Sequence, residues 1–342
     1  MKRLVAGLAA AALAVFGMFS TSSAQTALPP LDPPQKVIVA YVPIIKFANA
    51  YVAADRGLFK KYGLDVEFER VKSGTEAIAF IQKGSVDVGG IAIVASLWSA
   101  WSRGMDIRVI APGGLDPMQD GPTKVVARKD LFDSGAIKTI ADLRRRRVAM
   151  AGGPGSGAEY LLAKTMEKGG LTIRDVDAIN LGNADIAAAL LAKSVDAALT
   201  ASPYTEQILA AGTGEVLAKD MTPGLMTVAF IGSGKLIKER PEVAERFVLA
   251  LGEAARLMQG GDLFSQANID AYMKYTNTTE QALRETSKIS FDPNLDIPVA
   301  GLADIERVHR ENGRVDYDDP LDMAKVVDRS FAEKAVKLLG AK

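Results

Sequence analysis

The sequence predicts an α/β protein built from two similar lobes that face each other across a cleft. KVIVAYVPIIKFANAYVAADRG, which begins at Lys36, resembles RVAMAGGPGSGAEYLLAKTMEKG, which begins at Arg147. Likewise, GTEAIAFIQKGSVDVGG from Gly74 resembles NADIAAALLAKSVDAAL from Asn183. The offset of about 110 residues is the size of a small domain. Each copy alternates short apolar strands with amphipathic helices, which is typical of a parallel sheet covered by helices on both faces.

The N-terminus predicts export. Met1-Lys2-Arg3 is followed by an apolar stretch over 4–19 and by the small residues Ser22 and Ala24, a pattern typical of a secretory signal peptide cut after Ala24. Residues 25–35 contain four prolines and predict an extended leader. The chain has no Cys, which excludes a lipid-modified cysteine and any disulfide. These features predict a periplasmic protein with a signal peptide over 1–24.

Residues 36–115 are predicted to form most of the first lobe. Strands are expected at 37–41, 65–71, 86–93 and 107–111, with helices at 47–55, 73–81 and 97–103. Ser73 and Glu76 have the spacing of a capping box at the start of the second of these helices.

Two segments are predicted to cross between the lobes, and paired crossings make a hinge. The first is 112–122, which leads into a strand at 124–128; the second follows Pro223-Gly224 and leads into a strand at 226–231. The second lobe is therefore assigned to 116–225, and the first lobe is completed by 226–342. That last segment is predicted to be a helical tail around the first lobe, ending in one helix over 322–339.

The predicted ligand site lies beyond the carboxyl ends of the strands, where the following helices begin. Free backbone N–H groups at helix starts favour an anion there, without any need for Lys or Arg. The best such start is the glycine-rich segment 152–157, in which Ser156 and Glu159 form a second capping box. Apolar residues near the first strand and third strand predict an organic ligand. The candidate ligand-binding residues are Pro43, Ile44, Ile45, Phe47, Ser73, Gly74, Thr75, Gly90, Ile91, Ala92, Asp116, Pro154, Gly155, Ser156, Gly157, Thr200, Ser202 and Tyr204.

Composition excludes several other functions. Lys plus Arg and Asp plus Glu are both 41, so the formal net charge is zero and no nucleic-acid partner is expected. The 152–157 segment lacks the Lys-Ser/Thr ending of a nucleotide-binding loop. The one His, His309, is expected on the surface of a tail helix. Without Cys or a second His, no catalytic residue, metal site or cofactor is predicted. Lys46 is expected to be solvated.

The chain resembles the solute-binding proteins of bacterial ABC importers, in the branch for nitrate, sulfonates, taurine and thiamine-pyrimidine precursors. The segments that carry the resemblance include YVPIIKFANAYVAADRGLFKKYGLDVEF, KSGTEAIAFIQKGSVDVGG, LLAKSVDAALTASPY and KLIKERPEVAERF. It implies a type II periplasmic binding fold, with two doubly wound lobes joined by a two-strand hinge, a helical C-terminal tail and a monomeric state. It also implies capture of a small solute by hinge closure and delivery to a membrane permease.

Two alternatives stay open. The resemblance extends to the pyrimidine synthases of thiamine biosynthesis, so an exported enzyme of the same fold is the second hypothesis. Those enzymes keep a Lys and a His where this chain has Ile91 and Ala95, which disfavours that activity. A sensor that presents ligand to a membrane receptor would use the same physics. The ligand itself is left among sulfonates, carboxylates and pyrimidine-like solutes.

Overall fold

The computed structural model describes residues 28–342, in which two five-stranded sheets are flanked by helices. The predicted signal peptide lies outside the described residues. The strands are β1 Gln35–Tyr41, β2 Leu64–Arg70, β3 Val88–Ala92, β4 Ile107–Pro112, β5 Thr123–Arg128, β6 Arg147–Met150, β7 Asp177–Asn180, β8 Ala197–Ala201, β9 Gly214–Ala218 and β10 Val228–Ser233. The α-helices are α1 Ala48–Asp55, α2 Leu58–Lys61, α3 Gly74–Gln82, α4 Ala95–Ser102, α5 Lys129–Asp133, α6 Gly157–Lys168, α7 Asn183–Leu191, α8 Tyr204–Ala210, α9 Gly234–Glu239, α10 Pro241–Arg256, α11 Gln266–Thr276, α12 Glu280–Arg284, α13 Val299–Glu311, α14 Met323–Val326 and α15 Ser330–Leu339.

The two sheets have the same construction, as the sequence repeat predicts. The first has the order β2-β1-β3-β10-β4 and the second β7-β6-β8-β5-β9. In each, the first three strands are parallel and the fourth is antiparallel to both of its neighbours. The sheets are therefore mixed, whereas the sequence predicts wholly parallel sheets. The antiparallel strand in each sheet follows a crossing from the other lobe, which reverses its direction.

The repeated Ser-Val-Asp segment has one structural role in both lobes. Asp87 accepts a hydrogen bond through Oδ2 from the backbone N–H of Ile38 at 2.9 Å. Asp196 accepts one through Oδ2 from the backbone N–H of Arg147 at 3.1 Å. Each carboxylate thus ties the loop before the third strand of its lobe to the first strand beside it.

The C-terminal tail, which the sequence predicts to pack around the first lobe, contacts both lobes. Helices α10 and α15 pack together beside the first sheet, but α13 packs against both α4 and α6. The prediction of a single helix over 322–339 is wrong. This segment is divided into α14 and α15, because Val327 leaves the helix to form a parallel bridge with Val109 at the edge of the first sheet.

The described part of the leader is held against the first lobe without regular secondary structure. The guanidinium of Arg246 donates to the carbonyl oxygen of Pro29, and the N–H of Leu31 donates to the carbonyl oxygen of Tyr62. Apolar residues of both sheets form one continuous core, and a smaller cluster around Ile186 and Ile208 covers the outer face of the second sheet. One core spans the molecule because the lobes are in contact.

Candidate functional site

A cavity of about 60 Å³ lies between the two sheets. Residues of both lobes form its walls, among them Thr123 and Thr227, which follow the two crossing segments. They are Val42, Ile44, Lys46, Lys72, Ser73, Gly74, Ala92, Thr123, Ala151, Ser156, Gly157, Ala158, Leu161, Asn183, Leu199, Ala201, Thr227 and Val228. Most of these side chains are apolar, with a few hydroxyl, amide and ammonium groups among them. A mostly apolar wall with few polar groups is the usual composition of a small-molecule site.

The first lobe contributes the start of α3 to this cavity. Ser73 precedes the helix and accepts the backbone N–H of Glu76 through Oγ at 3.4 Å. The Glu76 carboxylate accepts the backbone N–H of Lys72 at 2.8 Å, one residue before the position that a complete capping box would use. The predicted helix start is therefore present, and Ser73 and Gly74 line the cavity.

The second lobe contributes the start of α6. Ser156 is buried, and its Oγ accepts the backbone N–H of Glu159 at 3.0 Å. The Glu159 carboxylate accepts the N–H of Gly155 at 2.6 Å and pairs with Arg314 from the tail. Gly152 and Gly155 have φ of +91° and +75°, which favours glycine. The glycine-rich turn is thus held rigidly at the cavity wall.

The lobes touch at this helix start. The N–H of Ala95 donates to the carbonyl oxygen of Gly155 at 2.7 Å, which joins α4 of the first lobe to the turn of the second. Gly157 faces Ala92 so closely that a Cβ on the glycine would lie 2.5 Å from the Cβ of Ala92. The lobes are therefore closed on each other around the cavity.

Lys46 is buried at the cavity wall, so the prediction that it is solvated is wrong. Its side chain is 2% exposed, whereas the turn after β1 predicts solvation. Nζ lies 2.5 Å from Oδ1 of Asp116 and donates to Oγ1 of Thr227 at 3.0 Å. Both partners belong to the crossing segments, which cover this turn. Asp116 is itself buried and accepts the Thr222 hydroxyl through Oδ2 at 2.6 Å, but it does not line the cavity.

A second, wider space of about 550 Å³ adjoins the cavity and shares Val42, Lys72 and Asn183 with it. We call it the vestibule. Its walls include the predicted residues Pro43 and Tyr204, and the Arg70 guanidinium donates across it to the Tyr204 hydroxyl at 3.1 Å. This bond is another direct contact between the lobes.

The structure distributes the predicted residues over several places. Ile44, Ser73, Gly74, Ala92, Ser156 and Gly157 line the cavity, and Pro43 and Tyr204 line the vestibule. Thr75, Pro154 and Gly155 line a separate groove beside α4. Ile45, Phe47, Gly90 and Ile91 are buried in the core and absent from the cavity wall, because their strand and turn pack under the crossing segments.

Two predicted polar residues are used internally. The hydroxyl of Thr200 bonds to that of Thr205 at 2.6 Å. The hydroxyl of Ser202 lies 3.1 Å from the carbonyl oxygen of Pro122 and 2.8 Å from the carboxylate Oε1 of Glu206. Burial raises the pKa of the Glu206 carboxyl. These groups stabilise the start of α8 beside the first crossing segment and do not reach the cavity.

The cavity wall contains further polar residues that were not predicted, namely Lys46, Lys72, Thr123, Asn183 and Thr227. Thr123 begins β5, and Thr227 immediately precedes β10, the two strands that follow the crossings. A search for polar residues at the starts of these strands would have identified both. Asn183 begins α7 and is the first residue of the segment that repeats the one from Gly74, a signal that could have identified it.

His309 is buried, so the prediction of a surface residue is wrong. It is 0% exposed and lies where α13 meets α4 and α6. The indole N–H of Trp98 donates to Nδ1 at 3.1 Å, and Nε2 faces the carbonyl oxygen of Ser156 at 3.3 Å. Burial lowers the pKa of His309 to about 4, so the ring is neutral at pH 7. A neutral ring with Nε2–H satisfies both contacts.

Within residues 28–342, no cluster of three or more His, Cys, Asp or Glu side chains is arranged to hold a metal ion. None of the helices described there combines the length and hydropathy that crossing a membrane requires.

Comparison with known proteins gives a family match and several relatives. A family model described as NMT1/THI5 like matches residues 44–260, more than half of the chain. A "Putative binding protein" of Brucella abortus (strain 2308) is 24% identical over 285 residues, covering 74% of this chain and 79% of that protein. A "Putative aliphatic sulfonates-binding protein" of Escherichia coli (strain K12) is 27% identical over 178 residues, 52% of each chain.

Solved structures share the fold over most of the chain. The alkanesulfonate-binding protein SsuA from Xanthomonas axonopodis pv. citri, bound to MOPS, superposes with a TM-score of 0.69 at 18% identity, covering 89% of this chain and 100% of that one. The desulfurization enzyme DSZB superposes with a TM-score of 0.59 at 16% identity, covering 88% and 99%. The predicted fold class, two α/β lobes with a helical C-terminal region, is confirmed.

Proposed function

The chain belongs to the NMT1/THI5-like family, and we propose that it is the solute-binding component of an ABC importer. One observation carries the proposal: the cavity is built from both lobes, so a solute in it contacts groups that come together only when the lobes close. Closure on a ligand follows because those contacts favour the closed state over the open one.

The proposed motion is a hinge movement of residues 116–225 against residues 36–115 and 226–342. The two segments that cross between the sheets support it, since they are the covalent connections between β4 and β5 and between β9 and β10. Opening would separate Ala95 from Gly155 and Arg70 from Tyr204 without breaking either sheet. It would also break the bonds from the tail to α6, in which the Tyr160 hydroxyl donates to Asp304 and Arg314 pairs with Glu159.

The proposed ligand is a small organic solute with a compact polar or anionic group, such as a sulfonate or carboxylate. A cavity of about 150 Å³ accepts benzene, so the 60 Å³ here accommodates only a few non-hydrogen atoms. The helix starts of α3 and α6, which flank the cavity, favour a negative group among them. A longer body would extend past Lys72 and Asn183 into the vestibule. A pyrimidine-like solute remains the alternative chemistry.

We also infer that the protein is exported and delivers its solute at a membrane. The N-terminal pattern of residues 1–24 supports transport to the periplasm, where the protein would act as a monomer and pass its solute to a membrane permease. The relatives described as binding proteins support this role.

The second candidate is an exported enzyme, because a desulfurization enzyme has the same fold. The side chains near the cavity favour binding over catalysis. Ile91 is fully buried, and Ala95 lies in the contact between the lobes. In the pyrimidine synthases that the sequence resembles, these positions are a Lys and a His.

A thermal-shift screen of sulfonates, carboxylates and pyrimidines, followed by isothermal titration with the strongest hit, tests the proposal. We expect saturable one-to-one binding, a raised melting temperature and no chemical change in the solute. Consumption of solute by catalytic amounts of protein would instead establish the enzyme. A screen without any saturable binding would contradict both.

A further inference from the structure

The Lys46 ammonium has an unused donor beside the cavity. An ammonium group has three N–H donors, and the described residues supply two partners, Asp116 and Thr227. The side chain lines the cavity and is almost completely buried, so water outside the protein does not solvate it. A buried cation with a free donor at a cavity wall is suited to bind an anionic oxygen.

We propose that the Lys46–Asp116 pair determines the ligand's charge, so that the cavity selects a solute whose compact group carries one negative charge. In this proposal, which rests on the proposed function, Lys46 donates its third N–H to the solute. Asp116 acts as a permanent internal counter-ion.

The position of Asp116 supports this division of roles. Its carboxylate contacts Lys46 and the Thr222 hydroxyl but lies outside the cavity wall, and among the described residues that form that wall there is neither Asp nor Glu. A bound anion therefore meets the cation without touching the carboxylate. Lys46 is the one buried cation among the described residues of that wall, so a second anionic group on the solute would have no buried cation to contact. Lys72, the other lysine at the wall, is exposed and is screened by water.

The same pair connects the ligand to the hinge. The N–H of Asp116 donates to the carbonyl oxygen of Leu225, and the N–H of Gly224 donates to the carbonyl oxygen of Asp116. These bonds join the two crossing segments at the point where Lys46 contacts them. An anion that binds Lys46 therefore stabilises the crossings in the arrangement that belongs to the closed lobes.

Isothermal titration with three matched probes tests the proposal: ethanesulfonate with one charge, ethane-1,2-disulfonate with two, and uncharged ethyl methyl sulfone. The wild type is expected to bind the monoanion at least about 10-fold more tightly than either other probe. Lys46→Met should weaken monoanion binding by about 10- to 100-fold and change sulfone binding little.

Asp116→Asn is expected to strengthen anion binding, which is the opposite of the effect of Lys46→Met. It leaves the Lys46 charge without its counter-ion, so both anions should raise the melting temperature more than they do for the wild type, and discrimination against the dianion should shrink. The double variant Lys46→Met/Asp116→Asn removes both charges and should bind only the sulfone, whatever the stability of the single variants.

Lys124→Met is the matched control. Lys124 is also a buried lysine paired with an aspartate, Asp120, but it does not line the cavity. The Lys124→Met variant should retain the wild-type preference for the monoanion. Unchanged charge selectivity in Lys46→Met, or in Asp116→Asn, overturns the assignment, as does a wild type that favours the sulfone. Those results leave the proposed function intact, since solute binding in the wider screen is scored separately.

Discussion

Gly157→Ala should prevent full closure of the lobes while leaving each lobe folded. The added Cβ would lie 2.5 Å from Cβ of Ala92 and 3.1 Å from the carbonyl oxygen of Ile93, where carbon atoms normally approach to about 3.5–4.0 Å. The first lobe must therefore withdraw by about 1 Å or accept the strain. The glycine begins α6 and lacks a positive φ, so alanine suits the helix itself.

The expected size of the effect follows from the cost of overpacking. Forcing an extra methyl group into a tight contact costs about 1–3 kcal/mol, and every 1.4 kcal/mol is a tenfold change in affinity. Because the clash exists only in the closed state, ligand affinity should fall by about 5- to 150-fold. Isothermal titration with the strongest ligand of the screen measures this, and small-angle scattering should show a larger liganded particle than the wild type.

Gly261→Ala is the control, because a Cβ there meets no atom within 4 Å. It should bind like the wild type. If Gly157→Ala also binds within about twofold of the wild type and closes to the same radius, the contact with Ala92 does not limit closure and the argument fails.

Three further predictions concern stability, measured as the free energy of unfolding in urea. The stability contributed by neutral His309 should be complete above pH 6.5 and should be lost as the pH falls toward 4, by about 3 kcal/mol, because the unfolded chain then takes up a proton that the buried ring resists. His309→Gln should reduce the dependence of the free energy of unfolding on pH over this range. An unchanged pH dependence in that variant would refute the prediction. Ser73→Ala and Ser156→Ala should each lower the free energy of unfolding by about 1 kcal/mol through loss of a helix cap, and no change in either would show the cap to be dispensable. Tyr160→Phe should cost about 1 kcal/mol by removing the 2.8 Å bond from its hydroxyl to Asp304, and an unchanged free energy of unfolding would contradict this role of the bond.

The sequence predicts the two lobes well because their patterns are local. Strand alternation, helix starts and the repeated Ser-Val-Asp segment each depend on residues close in the chain, and all recur in both sheets. The antiparallel strands β5 and β10 were harder to predict. Their direction depends on which lobe the chain arrives from, and single-strand patterns do not contain that information.

The residues that line the candidate cavity were predicted in part, for the same reason. Ser73 and Ser156 were found because a cap is a local signal, and both line the cavity. Lys46 was misjudged because its burial comes from distant segments: Gly114 donates its N–H to the carbonyl oxygen of Lys46, and Thr227 covers its tip. His309 had a usable signal, since it follows Leu302 by seven residues on the apolar stripe of α13.

Helix α13 gives the protein a way to adjust affinity from outside the cavity. It contacts α4 through His309 and Trp98, and α6 through Asp304 and Arg314 near its end. Whichever lobe it accompanies, opening must break one of these sets of bonds, so α13 biases the empty protein toward the closed population. Since the apparent dissociation constant scales inversely with the fraction of competent molecules, substitutions on this outer helix would tune solute capture without altering a single group that touches the solute.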